Sequence, residues 1–172
     1  QDRGASDVLF DMNSRYDVPG YGYQIAMGET ALAESWQSRD YLSHNHCMLG
    51  HLYSWLFSGI GGISQESGST AYKRIVIDPQ IVGDLRDARV SFRSPYGLIR
   101  SEWKDAPDEF VQTIEIPANA TARICLPATD PAKVTESGKP VSGRKDMAVE
   151  SGTDGRIELH VGSGVYRIAV EK

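Results

Sequence analysis

The spacing of apolar residues in this chain changes from a helical period to a strand period between residues 60 and 72. From Tyr72 onward the apolar residues fall in short runs, such as EFVQTIEI and RIELHV, separated by Pro, Gly, Asp and Asn. Alternation with a period of two is typical of half-buried strands, and many short strands are typical of two packed sheets. The sequence therefore predicts an antiparallel β-sandwich, jelly-roll-like, over residues 66–172.

Three of these runs define the predicted core of the sandwich. Their alternate residues are apolar and should face inward, while the Thr, Glu, Arg and His between them should face solvent. The predicted core residues are Phe110, Ile114, Ile116, Ala122, Ile124, Leu126, Ile157, Leu159 and Val161. The turns Ser94–Gly97, Thr153–Gly155 and Gly162–Gly164 are predicted to be hairpin connections, because Gly, Pro and Asp favour tight turns.

The residues before this sandwich have helical spacing, so the whole chain is predicted to have an α+β fold. Helices are predicted from Ser6, over Thr30–Ser38, and over His46–Ile60. The last segment is apolar almost all round, as expected of a helix buried between other helices. A unit of about sixty residues buries only about 60% of its unfolded surface. We therefore expect further helices, outside this chain, to cover that segment.

The composition excludes several classes of partner. The 172 residues carry a formal net charge of -5 and have no basic run, which argues against binding to nucleic acid. The longest apolar run, Met48–Ile63, is interrupted by polar residues and is too short to span a bilayer, so no membrane partner is expected. Because the chain begins with Gln1 rather than Met, we expect it to be cut from a longer protein that held any targeting segment.

The two cysteines indicate neither a disulfide framework nor a metal site. Cys47 lies in the apolar segment and Cys125 in a predicted strand, and neither has a second Cys or a His at metal-binding spacing. Both are predicted to be buried free thiols. We expect the protein to use no metal and no other cofactor.

Candidate chemistry lies in the helical part, where a carboxylate, histidines and aromatic rings occur close together in sequence. Glu34, Trp36 and His46 are the main candidates, with Tyr23 beside them, and such a mixture suits a sugar. Simpler interpretations remain open: an exposed helix carboxylate, a histidine that bonds a neighbouring turn, and rings that pack in the core. On a regular helix, Glu34 and Trp36 would point about 200° apart.

Several motifs, in the same order, resemble those of the C-terminal part of bacterial α-L-rhamnosidases. That family has a Gly-Tyr pair, Gly-x-Thr-Thr-x-Trp-Glu-x-Trp, Ser-x-Asn-His, a Tyr-Lys/Arg-Arg-Ile-x-Ile-x-Pro strand and a Ser-Pro-Tyr-Gly turn. The matching segments here are Gly22–Tyr23, Gly28–Trp36, Ser43–His46, Tyr72–Pro79 and Ser94–Gly97. Ala33 stands where the family has Trp, and Glu29 stands where it has a small residue.

The resemblance implies that residues 1–65 are the C-terminal helices of an (α/α)6 catalytic barrel and that 66–172 are the following β-sandwich. It implies hydrolysis of terminal rhamnose, with inversion, from a rhamnose-containing glycan or glycoside. Glu34 would be the general base, and His46, Trp36 and Tyr23 would bind the sugar. The general acid and the N-terminal part of the barrel would lie outside this sequence, so the isolated chain should be inactive.

Two other hypotheses are consistent with the same residues. In the first hypothesis, the chain is a non-catalytic module whose β-sandwich braces a barrel or binds carbohydrate. An exposed row of aromatic side chains on one sheet face would favour carbohydrate binding. The second is a related (α/α)6-barrel hydrolase or lyase that acts on another sugar.

Overall fold

The computed structural model describes residues 5–172, which divide into two compact units. The helical unit comprises the described residues up to Leu56 together with Val82–Asp84. The sandwich unit comprises Phe57–Ile81 and Leu85–Lys172. This arrangement of helices and sheets is the α+β fold predicted from the two hydrophobic periods.

Short helices and turns build the helical unit. Helix α1 spans Ser6–Ser14, α2 spans Tyr21–Ala26 and α3 spans Leu52–Trp55, with a 3-10 turn at Cys47–Leu49. A π-helical turn at Leu56–Ile60 begins at the last residue of this unit and continues into Phe57–Ile60 of the sandwich unit. The indole Nε1 of Trp55 donates a 3.0 Å hydrogen bond to Ser6 Oγ, which ties α3 to the start of α1. No helix within residues 5–172 has the length and hydropathy that a bilayer span needs.

The predicted helix over Thr30–Ser38 is wrong, because this segment is a series of turns. Its backbone groups find partners elsewhere in the unit. Ala33 donates to the side chain of Gln24 at 3.3 Å, and Glu34 donates to the carbonyl of Ser43 at 2.8 Å. These tertiary hydrogen bonds replace the bonds four residues apart that a helix would make.

The apolar segment His46–Ile60 is helical only in pieces, since a 3-10 turn, α3 and the π-helical turn follow one another. Several of its large apolar side chains are exposed, with Met48 at 57%, Tyr53 at 75% and Leu56 at 42%. Cys47 is also exposed, so the prediction of two buried thiols is wrong for this residue. It lies on the first turn of the segment, next in sequence to the exposed Met48.

Two sheets form the sandwich unit. The eleven strands are β1 Ile63–Gln65, β2 Arg74–Ile77, β3 Asp87–Ser94, β4 Gly97–Asp105, β5 Glu109–Ile116, β6 Thr121–Cys125, β7 Val134–Glu136, β8 Lys139–Pro140, β9 Ala148–Ser151, β10 Ile157–Val161 and β11 Gly164–Glu171. A 3-10 turn at Pro131–Lys133 precedes β7. One sheet has the order β1-β2-β6-β10-β9 and the other β3-β4-β5-β11-β7-β8.

The alternating pattern identified the inner faces correctly. All nine core residues predicted from the three runs are buried, and Phe110, Ile114, Ile124 and Leu159 are at most 1% exposed. Pairing departs from the prediction at one place, where β2 and β6 run parallel, with Ile75 opposite Ala122. The sandwich is therefore mixed rather than wholly antiparallel.

The predicted turns divide into two kinds. Ser94–Gly97 closes the β3–β4 hairpin and Thr153–Gly155 lies in the β9–β10 hairpin, as predicted. Gly162–Gly164 is not a hairpin, because β10 and β11 belong to different sheets. At this turn the chain crosses from one layer of the sandwich to the other.

Cys125 is a buried thiol, as predicted, with 1% exposure. Burial, and then the nearby Asp78 carboxylate, raise the pKa of Cys125 to about 11, although Arg123 lowers it. At pH 8 only about one thiol in a thousand with that pKa is ionised, and the thiolate is the form that reacts.

We therefore expect a disulfide-exchange reagent at pH 8 to modify Cys47 in the native 172-residue chain and to reach Cys125 only after unfolding. The measurement is the number of thiols released with and without denaturant. Cys47→Ser is the control and should show almost no reaction in the native state. Rapid labelling of native Cys47→Ser would mean that Cys125 is accessible.

Gly62 lies where the backbone leaves no room for a side chain. Its φ is +71°, and a Cβ there would lie 2.2 Å from the nitrogen of Pro79. Its carbonyl also accepts a 2.8 Å hydrogen bond from Asp78, so this close approach continues into the β1–β2 pairing. Gly138, in the β7–β8 turn, has a similar φ of +76° but no atom within 4 Å of its Cβ position.

Gly62→Ala is expected to lower the free energy of unfolding by at least about 2 kcal/mol more than Gly138→Ala, since only the first forces the backbone apart. Both variants carry the same strain from a positive φ, so their difference isolates the clash. Denaturant unfolding of the 172-residue chain measures it. Equal losses would show that the β1–β2 region relaxes freely around the added methyl group.

Candidate active site

Glu34 and His46 lie on two neighbouring segments of the helical unit that pair through their backbones. His46 N–H donates to the carbonyl of Leu32 at 2.7 Å, and Glu34 N–H donates to the carbonyl of Ser43 at 2.8 Å. These two bonds join the two ends of the loop between Glu34 and Ser43. Both Glu34 and His46 are half-buried. The structure therefore places the two main candidate residues, Glu34 and His46, on adjacent segments of the backbone.

The carboxylate of Glu34 is held but not saturated by its one described partner. Its Oε2 accepts a 3.1 Å hydrogen bond from the backbone N–H of Ser43. An ionised carboxylate has about four acceptor positions, so one hydrogen bond leaves capacity for a water molecule. A half-buried carboxylate fixed in this way has the features of a group that orients and deprotonates water.

The ring of His46 has one nitrogen committed to the backbone. Nδ1 accepts a 3.1 Å hydrogen bond from the N–H of Met48 and so caps the 3-10 turn at Cys47–Leu49. Because Nδ1 is the acceptor, the neutral ring carries its proton on Nε2. Bonding to a neighbouring turn was the simpler interpretation of this residue, and the geometry also leaves Nε2–H as a donor for a hydroxyl group.

The aromatic candidates do not all lie together. Trp36 packs against Tyr21 edge to face, with ring centroids 4.8 Å apart and an interplanar angle of 89°. The Tyr21 hydroxyl is buried and donates to the carbonyl of Leu49. Tyr23 is half-buried on the same helix, α2, but residues two apart point about 200° apart around a helix. Trp36 thus joins the Tyr21 cluster, whereas Tyr23 lies on another side of α2.

Glu29 is the second carboxylate of this region and has an imidazole partner of its own. Its Oε1 lies 2.6 Å from Nδ1 of His44, and its side chain is 12% exposed. It contributes to a pocket of about 360 Å³ lined by Tyr21, Gln24, Ile25, Glu29, Thr30, Ala31, Leu32 and Leu52. Glu29 is therefore tied to an imidazole, unlike Glu34, whose described partner is a backbone N–H.

Gln24 is a component of this region that sequence reasoning missed. It is 3% exposed, and its side-chain amide bonds the backbone of the segment that carries Glu34. No signal in a single sequence identifies such a residue, because its partners are peptide groups and every residue type provides those.

The sandwich unit has a pocket with polar side chains in its lining. This pocket, of about 470 Å³, is lined by residues that include Glu66, Arg74, Arg123 and His160. Trp103 is 3% exposed and donates to the carbonyl of Ile60, and Tyr166 donates to that of Gly162. Across residues 5–172, no cluster of three His, Cys, Asp or Glu side chains could hold a metal ion.

Comparison with known proteins agrees with the motifs along most of the chain. Residues 1–60 match the family model of the bacterial alpha-L-rhamnosidase 6 hairpin glycosidase domain, and residues 62–140 match that of the bacterial alpha-L-rhamnosidase C-terminal domain. An alpha-L-rhamnosidase of Streptomyces avermitilis is 30% identical over 98% of this chain, and one of Formosa agariphila is 24% identical over 98%. The chain covers only 16% and 18% of the length of these two relatives.

Solved structures of the same family have the same fold. The Streptomyces avermitilis alpha-L-rhamnosidase complexed with L-rhamnose superimposes with a TM-score of 0.84 and 29% identity, over 97% of this chain and 16% of that one. The α-L-rhamnosidase from Dictyoglumus thermophilum superimposes with a TM-score of 0.85 and 28% identity, over 98% of this chain and 19% of that one. The chain belongs to the bacterial α-L-rhamnosidase family, matching first its six-hairpin glycosidase domain and then its C-terminal domain.

Proposed function

We propose that this chain is the C-terminal part of an α-L-rhamnosidase that hydrolyses terminal α-L-rhamnosides with inversion, and that Glu34 is the general base. The observation that carries the proposal is the fixed carboxylate of Glu34, with one oxygen on Ser43 N–H and further acceptor capacity free. The likeness to a rhamnosidase complexed with L-rhamnose supports the choice of sugar.

Inversion needs two carboxyl groups on opposite sides of the sugar ring. Water attacks the anomeric carbon and loses its proton to Glu34, while the bond to the leaving oxygen breaks and a general acid gives that oxygen a proton. In inverting enzymes the two carboxyl groups lie about 6.5–9.5 Å apart, which leaves room for the water. In the proposed enzyme the acid comes from outside these 172 residues, and the isolated chain does not turn over.

The pairing of Glu29 with His44 supports Glu34 as the base. One oxygen of Glu29 lies 2.6 Å from an imidazole nitrogen, a partner that can itself exchange a proton with the carboxylate. The described partner of Glu34 is the backbone N–H of Ser43, which cannot take a proton from the carboxylate. The remaining lone pairs of Glu34 are available to water. The resemblance to the Gly-x-Thr-Thr-x-Trp-Glu-x-Trp motif, in which Glu34 matches the family's general base, also supports this assignment.

His46 is assigned to sugar binding through Nε2. The bond from Met48 to Nδ1 fixes both the ring orientation and the position of the proton, so Nε2–H is a preformed donor for a sugar hydroxyl. Trp36 is assigned to the wall of the sugar site because it is half-buried and supported from behind by Tyr21. Tyr23, on the other side of α2, is assigned to an outer part of the site.

The proposed domain division is 1–65 for the last helices of the barrel and 66–172 for the sandwich. The exposure of Met48, Tyr53 and Leu56 supports the existence of further barrel helices that cover them in the whole enzyme. Trp103 of the sandwich is buried and Tyr166 bonds the carbonyl of Gly162, which favours bracing of the barrel over carbohydrate binding as the role of this unit.

Glu34→Gln in the full-length enzyme is expected to lower kcat by roughly 10² to 10⁴ with little change in KM, since the amide keeps the shape but not the basicity. Azide needs no deprotonation, so it should restore turnover of an aryl rhamnoside and give the β-rhamnosyl azide. Glu29→Gln is the matched control and should keep most of its activity. Loss of activity in Glu29→Gln with near-normal Glu34→Gln would mean that Glu29 is the base.

His46→Asn is expected to weaken sugar binding while the 3-10 turn stays capped, because the Asn carbonyl oxygen can accept from Met48 but no Nε2 donor remains. Losing one hydrogen bond to a hydroxyl costs on the order of 1–3 kcal/mol and should appear in kcat/KM, without azide rescue. His46→Ala removes the cap as well, so it should also lower Tm. If His46→Asn keeps full kcat/KM, the role of His46 is only to cap the turn.

A further inference from the structure

Gln24 holds the backbone on both sides of Glu34. Its Oε1 accepts a 3.3 Å hydrogen bond from the N–H of Ala33, and its Nε2 donates a 3.1 Å hydrogen bond to the carbonyl of Ser35. One side-chain amide therefore spans the residue before the carboxylate and the residue after it. The side chain belongs to α2 and is 3% exposed, so water does not compete for either bond.

The bonds of Gln24 complete a set that fixes three consecutive residues. Ala33 N–H and Ser35 carbonyl are held by Gln24, and Glu34 N–H is held by the carbonyl of Ser43. This segment forms no helix or strand that would order it by repeated hydrogen bonds. Its conformation, and with it the direction of the Glu34 side chain, depends on these few bonds.

The backbone of Gln24 makes the support rigid. Its N–H donates to the carbonyl of Gly20 at 3.0 Å, and its carbonyl accepts from the N–H of Glu29 at 3.0 Å. The backbone of Gln24 is thus fixed by one bond to the residue before α2 and one from a residue after it. Its side chain meanwhile bonds the segment that carries Glu34. A buried amide is costly unless its polar atoms are paired, and here both of its polar atoms have partners.

We propose that Gln24 is a positioning residue for the general base, fixing the carboxylate of Glu34 at the distance and angle that the attacking water requires. The inference rests on the proposed function of Glu34. It assigns to Gln24 no contact with the sugar and no proton transfer. Its effect on the reaction is through geometry, to which water attack is sensitive, because a misplacement of about 1 Å can cost about 10²-fold in rate.

The test uses Gln24→Met in the full-length enzyme, a substitution of similar volume that removes both hydrogen bonds. We expect kcat to fall about 10- to 100-fold with KM changed less than about threefold, because the base is misplaced while sugar binding persists. Azide should recover turnover and give the β-rhamnosyl azide: its nitrogen bonds to the anomeric carbon as the bond to the aryl oxygen breaks and the general acid protonates that oxygen.

Gln112→Met is the matched control. Gln112 is 0% exposed in the sandwich unit, and its Nε2 donates to Ser101 Oγ at 3.2 Å. Substitution there removes a buried amide of the same kind without touching the segment that carries Glu34. Whatever its effect on Tm, the kcat of the folded enzyme and the response to azide should equal those of the unchanged protein.

Two results would overturn the inference. A normal kcat in folded Gln24→Met would show that the amide is dispensable, and a lowered kcat without azide recovery would show that the defect is not in activating water. If Gln24→Met does not fold, Gln24→Glu decides on the same measurements, since its carboxylate accepts from Ala33 but has no donor for Ser35. Failure of the proposed function is recognised separately, because Glu34→Gln would then keep its activity.

Discussion

The helical unit depends on hydrogen bonds that replace a helix around Glu34. Residues 30–38 were predicted to be a helix, yet the peptide groups of Leu32, Ala33, Glu34 and Ser35 bond Gln24, Ser43 and His46. Every buried peptide group needs a partner, so this exchange is possible only because a loop and a buried amide supply them. A regular helix would have pointed Glu34 and Trp36 in nearly opposite directions. The turns allow Trp36 to pack on Tyr21 while Glu34 bonds Ser43.

Sequence patterns predicted the sandwich better than the helical part, and the difference is physical. A strand that is buried on one face must alternate apolar and polar residues. The burial of residues such as Ile114 and Leu159 can therefore be predicted from the sequence pattern. Thr30–Ser38 has no comparable constraint, because its conformation is set by single tertiary hydrogen bonds. The parallel pairing of β2 with β6 was missed for a similar reason: alternation identifies the face of a strand but not its neighbour.

The candidate site shows the same division between pattern and contact. The resemblance to the family's motifs predicts Glu34 and His46 as site residues, and the structure lays their segments side by side. The roles of individual atoms required coordinates. The cap from His46 Nδ1 to Met48 and the two bonds of Gln24 involve backbone partners that no residue pattern encodes. The prediction of a buried Cys47 is wrong because the described chain leaves much of this apolar segment exposed, including Met48 and Tyr53.

The parallel pairing of β2 with β6 also has a consequence for how the sandwich unit folds. The strands β3, β4 and β5 of the other sheet follow one another through short turns and can pair as soon as they meet. In contrast, the β3–β4–β5 meander lies between β2 and β6 in the chain, and β7, β8 and β9 lie between β6 and β10. Closing such long loops costs chain entropy before any contact compensates for it. The β3–β4–β5 meander can therefore form locally, whereas the parallel pairing of β2 with β6 needs distant parts of the chain to meet first.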